Sequence, residues 1–169
     1  MRGTDRIYAS GMVRRIDEVG RVVIPAEMRE VLGWKNGDPV ELFCDRQGHV
    51  ILRKYSPLAG LEGVGVLCVQ ALAETLKAQV MLTDTDIVVA VAGYPASAIG
   101  KVPPEIVAKA IARIEVQSDQ ESIAVPILKR GNVIGALEAH FKSPQKEIKE
   151  KYLLSLQTVA NFLGRYLSE

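Results

Sequence analysis

The chain has 169 residues, 48% apolar and 24% charged, which suits one ordinary domain or two small ones and excludes a disordered polymer. A formal net charge of +1 excludes a nucleic-acid partner held by gross charge alone. The polar start has no signal-peptide pattern, and the longest apolar run, 64–73, is interrupted by Gly65 and Gln70 and too short for a bilayer; a cytoplasmic protein is expected.

Charge is unevenly spread. Residues 1–56 carry ten Lys/Arg against eight Asp/Glu, and the remainder eleven against twelve. Self-association would double the N-terminal excess on one particle. Cys44 and Cys68 belong to no Cys-x-x-Cys pair, and His49 and His140 have no local ligand partners, so buried free thiols and no metal are expected.

In chain order, residues 7–16 form a strand-like run that ends at the turn Asp17-Glu18-Val19-Gly20, and residues 21–24 resume an extended strand. Pro25 fits the first position of a short helix with Glu27 in its first turn, Met28, Val31 and Leu32 on one apolar stripe, and Gly33 as its stop. A hairpin follows, 40–45 and 49–54, in which Val50 and Leu52 face one way and Arg53 the other. So little chain offers little interior, and the module is expected to fold as an intertwined dimer.

The pattern changes near Tyr55-Ser56-Pro57. A helix is expected over 61–77, apolar nearly all round between Val66 and Ala73 and so buried on more than one side. Strands follow at 79–83 and 87–91, then a helix from Pro103-Pro104 to about Ile114, a hairpin of 123–128 with 133–141, and a long helix from Pro144. In that last helix Leu153, Leu156, Val159, Ala160, Leu163 and Leu167 make a continuous stripe. This order suggests an antiparallel sheet with helices packed on it, a PAS/GAF-like plan, and the whole chain is α+β.

Chemistry-bearing constellations are sparse. Gly60, Gly63 and Gly65 have the wrong spacing for a dinucleotide loop and follow no strand. Serine, histidine and aspartate show no nucleophile elbow, and Glu138 with His140 on one strand face reads as a half-buried pairing. No enzyme and no cofactor are expected.

The string from Ser10 to Pro25, with Gly11-Met12-Val13-Arg14-Arg15-Ile16-Asp17 and Gly20-Arg21-Val22-Val23-Ile24-Pro25, resembles the signature of the AbrB-type swapped-hairpin DNA-binding family, and 52–57 resembles the end of that module. The resemblance covers about residues 1–56; residues 57–169 resemble a GAF-like sensor and oligomerisation domain more loosely, through their arrangement and the pieces 125–127 and 131–135. It implies a transcription regulator, of sporulation genes, in which a dimeric β module places Arg14, Arg15, Arg21 and Arg29 against double-stranded DNA. Guanidinium suits that role because its planar fork grips phosphate or the guanine edge with two hydrogen bonds. Glu30 and Tyr8 stand where relatives often carry basic residues, which lowers the charge of the expected face. The GAF-like part implies a cavity for a small ligand or a partner that tunes DNA affinity, with the 92–102 connection as a candidate lining, and pairing of helices 61–77 and 148–167 between chains would give a homotetramer. Two other readings stay open: an antitoxin-like DNA- and protein-binding module, and a sensor whose N-terminal module serves only to oligomerise.

Overall fold

A computed structural model describes residues 12–143 and 150–168. The chain divides into two compact units between Tyr55 and Ser56. Tyr8, the first half of the strand-like run 7–16 and the start of the last helix at Pro144 lie outside the described residues.

In the first unit the turn 17–20 forms around Gly20, whose φ of +81° only glycine takes without strain. The Gly20 N–H reaches the Asp17 carbonyl at 3.0 Å and the Asp17 N–H reaches the Arg21 carbonyl at 3.0 Å. Among the described residues neither 12–16 nor 21–24 pairs in a ladder within this chain. The helix α1 (Ala26–Val31) starts one residue later than expected, with Pro25 as its cap; the Arg29 N–H returns to the Pro25 carbonyl at 3.1 Å. Its end is a Schellman closure, with Gly33 N–H on the Glu30 carbonyl at 3.1 Å and Trp34 N–H on the Arg29 carbonyl at 2.7 Å. Strands β1 (Val40–Cys44) and β2 (Val50–Lys54) form the expected hairpin, Leu42 opposite Leu52 and Cys44 opposite Val50.

Only Pro25 is buried among the described residues of this unit. Leu42, Val50 and Leu52 are exposed, as one copy of so small a module would leave them, as is Val31, and Cys44 is exposed where a buried thiol was expected. The physical reason is geometric: a two-stranded ribbon and a six-residue helix have no second layer to lie against.

The second unit is a five-stranded antiparallel sheet in the order β4-β3-β7-β6-β5, with β3 (Gln79–Thr83), β4 (Val88–Ala92), β5 (Gln117–Ser118), β6 (Ser122–Lys129) and β7 (Asn132–His140). Side-chain alternation divides its two faces. Ile123, Val125, Ile127, Leu137 and Ala139 join α2 (Glu62–Leu76) and α4 (Glu150–Tyr166) in the main core, through Val69, Leu72 and Leu76 of one helix and Leu156, Ala160 and Leu163 of the other. On the opposite face Ala124 and Ala136 meet Val107 and Ala110 of α3 (Glu105–Arg113), where small residues let the helix lie close. Two glycines are required by close approach: a Cβ on Gly135 would strike the Thr83 carbonyl and Leu58, and one on Gly164 the Leu128 carbonyl.

Helix α2 departs from expectation on one side. Val66 and Leu67 are exposed, so only one of its faces is buried in this chain, and Cys68 is half-buried. Helix α4 likewise leaves Leu154, Phe162 and Tyr166 exposed while its expected stripe packs inward. No helix among the described residues is long and apolar enough to cross a membrane.

Candidate nucleic-acid interface

The turn 17–20 organises the first unit's arginines. Asp17 Oδ1 accepts the backbone N–H groups of Val19 at 3.1 Å and Arg21 at 2.8 Å, and its Oδ2 accepts Arg21 Nε at 2.7 Å. The Arg21 backbone bond, and then its guanidinium, hold the Asp17 carboxyl below the usual carboxylate range, so the clamp is ionised at neutral pH. Because the clamp takes only Nε, the terminal nitrogens of Arg21 make no further hydrogen bond among the described residues.

The turn residue Asp17 thus holds the guanidinium of Arg21, not that of Arg14 or Arg15. Arg14 is exposed, its Nη1 donating to the Val13 carbonyl at 3.3 Å and its Nη2 standing 3.8 Å from Met12 Sδ. Arg15 is exposed and makes neither hydrogen bond nor ion pair among the described residues. Arg29, half-buried on α1, donates through Nη1 to Asn36 Oδ1 at 2.6 Å. Arg14 and Arg15 thus stand on one arm of the turn and Arg21 on the other, while Arg29 is anchored to a separate loop.

Two basic residues outside the expected set are neutralised locally. Arg53 bonds Glu41 at 3.0 Å and lies 4.5 Å from the centroid of the Phe43 ring, and Lys54 pairs with Asp38 at 3.2 Å. The pairing of Asp17 with Arg21 was missed because a turn aspartate already has a sufficient local reason to be there. Its signal was the i, i+4 spacing to Arg21 across Gly20.

In the second unit a cleft of about 210 Å³ opens between α2 and the edge strand β4, lined by Leu61, Gly65, Val66, Val89, Ile99 and Gly100 among others. Two residues of the 92–102 connection therefore do line a cavity, and every lining residue is apolar. Glu138 and His140 do not pair directly: Ser122 Oγ lies between them, 2.8 Å from Glu138 Oε1 and 3.0 Å from His140 Nδ1. No group of three or more potential metal ligands occurs among the described residues.

Residues 13–59 match the model of the family described as antidote-toxin recognition MazE, bacterial antitoxin. The chain is 47% identical over 49 residues to the transition state regulatory protein AbrB of Bacillus subtilis, a match covering 29% of this chain and half of that protein. Among solved structures, the GAF domain of an Acinetobacter phosphoenolpyruvate-protein phosphotransferase superimposes with a TM-score of 0.56 at 19% identity, over 67% of this chain and 82% of that one. The blue-light-absorbing form of the Thermosynechococcus elongatus PixJ GAF domain gives 0.56 at 15% identity, over 68% and 89%. These structural likenesses establish a GAF fold. Stage V sporulation protein T of Bacillus subtilis is 35% identical over 95% of this chain and 99% of its own length, and the chain accordingly belongs to the family of that protein, an AbrB-type module joined to a GAF-fold domain.

Proposed function

We propose that this protein is a sequence-specific DNA-binding transcription regulator, of sporulation genes, acting in the cytoplasm and without catalysis. Arg14, Arg15, Arg21 and Arg29 meet the duplex, with Asp17 setting the angle of Arg21. The observation that carries this reading is the exposure of Arg14 and Arg15, without carboxylate partners among the described residues, inside the stretch 13–59 that matches the family model. Unpaired guanidinium groups displace counterions from phosphate at little desolvation cost.

Two copies of the first unit complete one another, because a unit whose only buried described residue is Pro25 has no core of its own. The open faces of α2 and α4, with Val66, Leu67, Leu154 and Phe162, join two such dimers into a tetramer. A small apolar ligand in the α2–β4 cleft, or a partner, would alter DNA affinity only by favouring one tetramer arrangement over another.

The test is a gel-shift titration on promoter fragments recovered by genome-wide binding, at about 50 and 200 mM salt. Arg14→Ala is expected to weaken binding and to flatten the log–log salt slope by roughly 0.9 for each phosphate it leaves unneutralised. Arg14→Ala and Arg21→Ala proteins that bind as well as the parent would remove the site assignment.

The antitoxin reading draws on the family model matched at 13–59. Against it stands the second unit, a folded GAF domain where a toxin-binding tail would be short and extended. Co-purification of a small nuclease-like protein in fixed stoichiometry would favour that alternative.

A further inference from the structure

We propose that Tyr94, Ser122, Glu138 and His140 form a proton-linked latch in the second unit, with His140 as the port, Ser122 as the relay and Glu138 as the store. The inference rests on this unit alone and stands apart from the DNA-binding reading.

The β6–β7 register sets Ser122 opposite His140 and Ala124 opposite Glu138, so the three polar side chains share the α3 face of the sheet. Glu138 is 1% exposed, its Oε1 accepting Ser122 Oγ at 2.8 Å and its Oε2 accepting the Tyr94 hydroxyl at 2.9 Å. His140 is half-buried and reaches Ser122 Oγ through Nδ1 at 3.0 Å. With Glu138 ionised, every donor runs toward it: His140 Nδ1–H to Ser122, Ser122 O–H to Glu138, and Tyr94 O–H to Glu138.

The chain has a second hydrogen-bonded setting. A solvent proton binds His140 Nε2, the Nδ1 proton passes to Ser122 Oγ, and the serine's own proton passes to Glu138 Oε1. Glu138 then donates to Ser122 and Ser122 donates to the bare Nδ1 of a neutral His140. One proton has entered, one O–H bond has formed on Glu138, and the Glu138–Ser122 and Ser122–His140 hydrogen bonds are both kept with their directions reversed.

The surroundings favour such uptake. Burial pushes the Glu138 carboxyl up, against the hydrogen bonds of Ser122 and Tyr94 and the charge of His140, while the nearby Asp119 adds to the upward push. Burial first, and then the charge of Glu138, raise the Tyr94 hydroxyl, which stays a permanent donor. The register brings Met81 of β3 opposite Glu138 and Gln79 opposite His140; α3 packs Val107 and Ala110 on this face, and its Glu105 and Lys109 pair with each other at 2.8 Å.

Neutralising Glu138 turns the Tyr94 bond from charge-assisted to ordinary, roughly halving it. Tyr94 begins the 93–101 connection, which also bonds the edge strand through Val88 N–H to the Lys101 carbonyl at 2.9 Å and lines the apolar cleft with Ile99 and Gly100. Proton uptake therefore loosens one wall of that cleft.

The test is an NMR titration of the full chain, following the His140 ring carbons and the Glu138 carboxyl carbon, with His49→Gln to assign the two histidines. The proposal expects both signals to move in one shared step, since the single proton that neutralises Glu138 also shifts the ring proton of His140 from Nδ1 to Nε2. It also expects amide exchange over 93–101, corrected for its intrinsic pH dependence, to quicken by about tenfold across the step. Ser122→Ala is expected to separate the two curves. Unrelated single-step curves in the unsubstituted protein, or exchange over 93–101 that ignores the step, would overturn the latch, and both are read on the parent chain, so neither depends on a variant that folds.

Discussion

Replacing Leu42 by aspartate tests the completion of the first unit by a second copy. Leu42, Val50 and Leu52 share one face of the β1–β2 ribbon and are 68%, 62% and 38% exposed in the single chain. Full burial of such a side chain stabilises by about 1.5–3 kcal/mol, so covering what is open is worth roughly 2.5–5 kcal/mol per chain and about twice that for a two-fold pair. Leu42→Asp forfeits about 1–2 kcal/mol of this in each copy and adds the cost of a carboxylate in an apolar layer. The dimer should weaken by at least ~2–4 kcal/mol, or about 30- to 1000-fold. Sedimentation equilibrium of the full chain is expected to show the proposed tetramer reduced to a dimer held by the second unit, with gel-shift activity lost. Leu154→Asp, on the open face of α4, is expected to give the complementary dimer that still binds DNA. A Leu42→Asp protein with parental mass and parental DNA affinity would refute the shared core.

Asp17→Ala releases the Arg21 guanidinium and removes a negative charge from the proposed interface, so preference for a cognate promoter over random DNA should fall several-fold while non-specific affinity rises slightly, as read in competition gel shifts. Gly135→Ala drives a methyl group into the Thr83 carbonyl and Leu58; calorimetry should show the second unit destabilised by about 1–3 kcal/mol, a melting shift of roughly 3–10 °C. Glu138 has a folded-state pKa raised above its unfolded value, so its contribution to stability is present below the unfolded carboxyl range and is lost as pH rises through the folded value. Chemical denaturation should accordingly show Glu138→Gln flattening the pH dependence of stability in that window; a slope equal to the parent's would place the titration elsewhere.

Much of this protein was legible in one dimension. The strand at 79–83, the helix after Pro104, the β6–β7 hairpin and the inward stripe of α4 follow from local periodicity, since alternation of two and of 3.6 is written into which residues are apolar. Gly20 and Gly33 announced the ends of a turn and a helix because each must take a positive φ. Arg14, Arg15 and Arg21 of the proposed interface stand in the string that resembles the AbrB-type signature, and Arg29 lies beyond it. Partnership between distant side chains was not visible. Arg21 rather than Arg14 or Arg15 takes Asp17 because the turn brings its Nε onto the carboxylate. Tyr94 and Ser122 converge on Glu138 only through strand register and the path of the 93–101 connection, which no window of sequence contains. Burial was misjudged at Cys44 and one side of α2 for a single reason: apolar periodicity states that a face will be covered, and only tertiary packing decides whether the same chain supplies the cover.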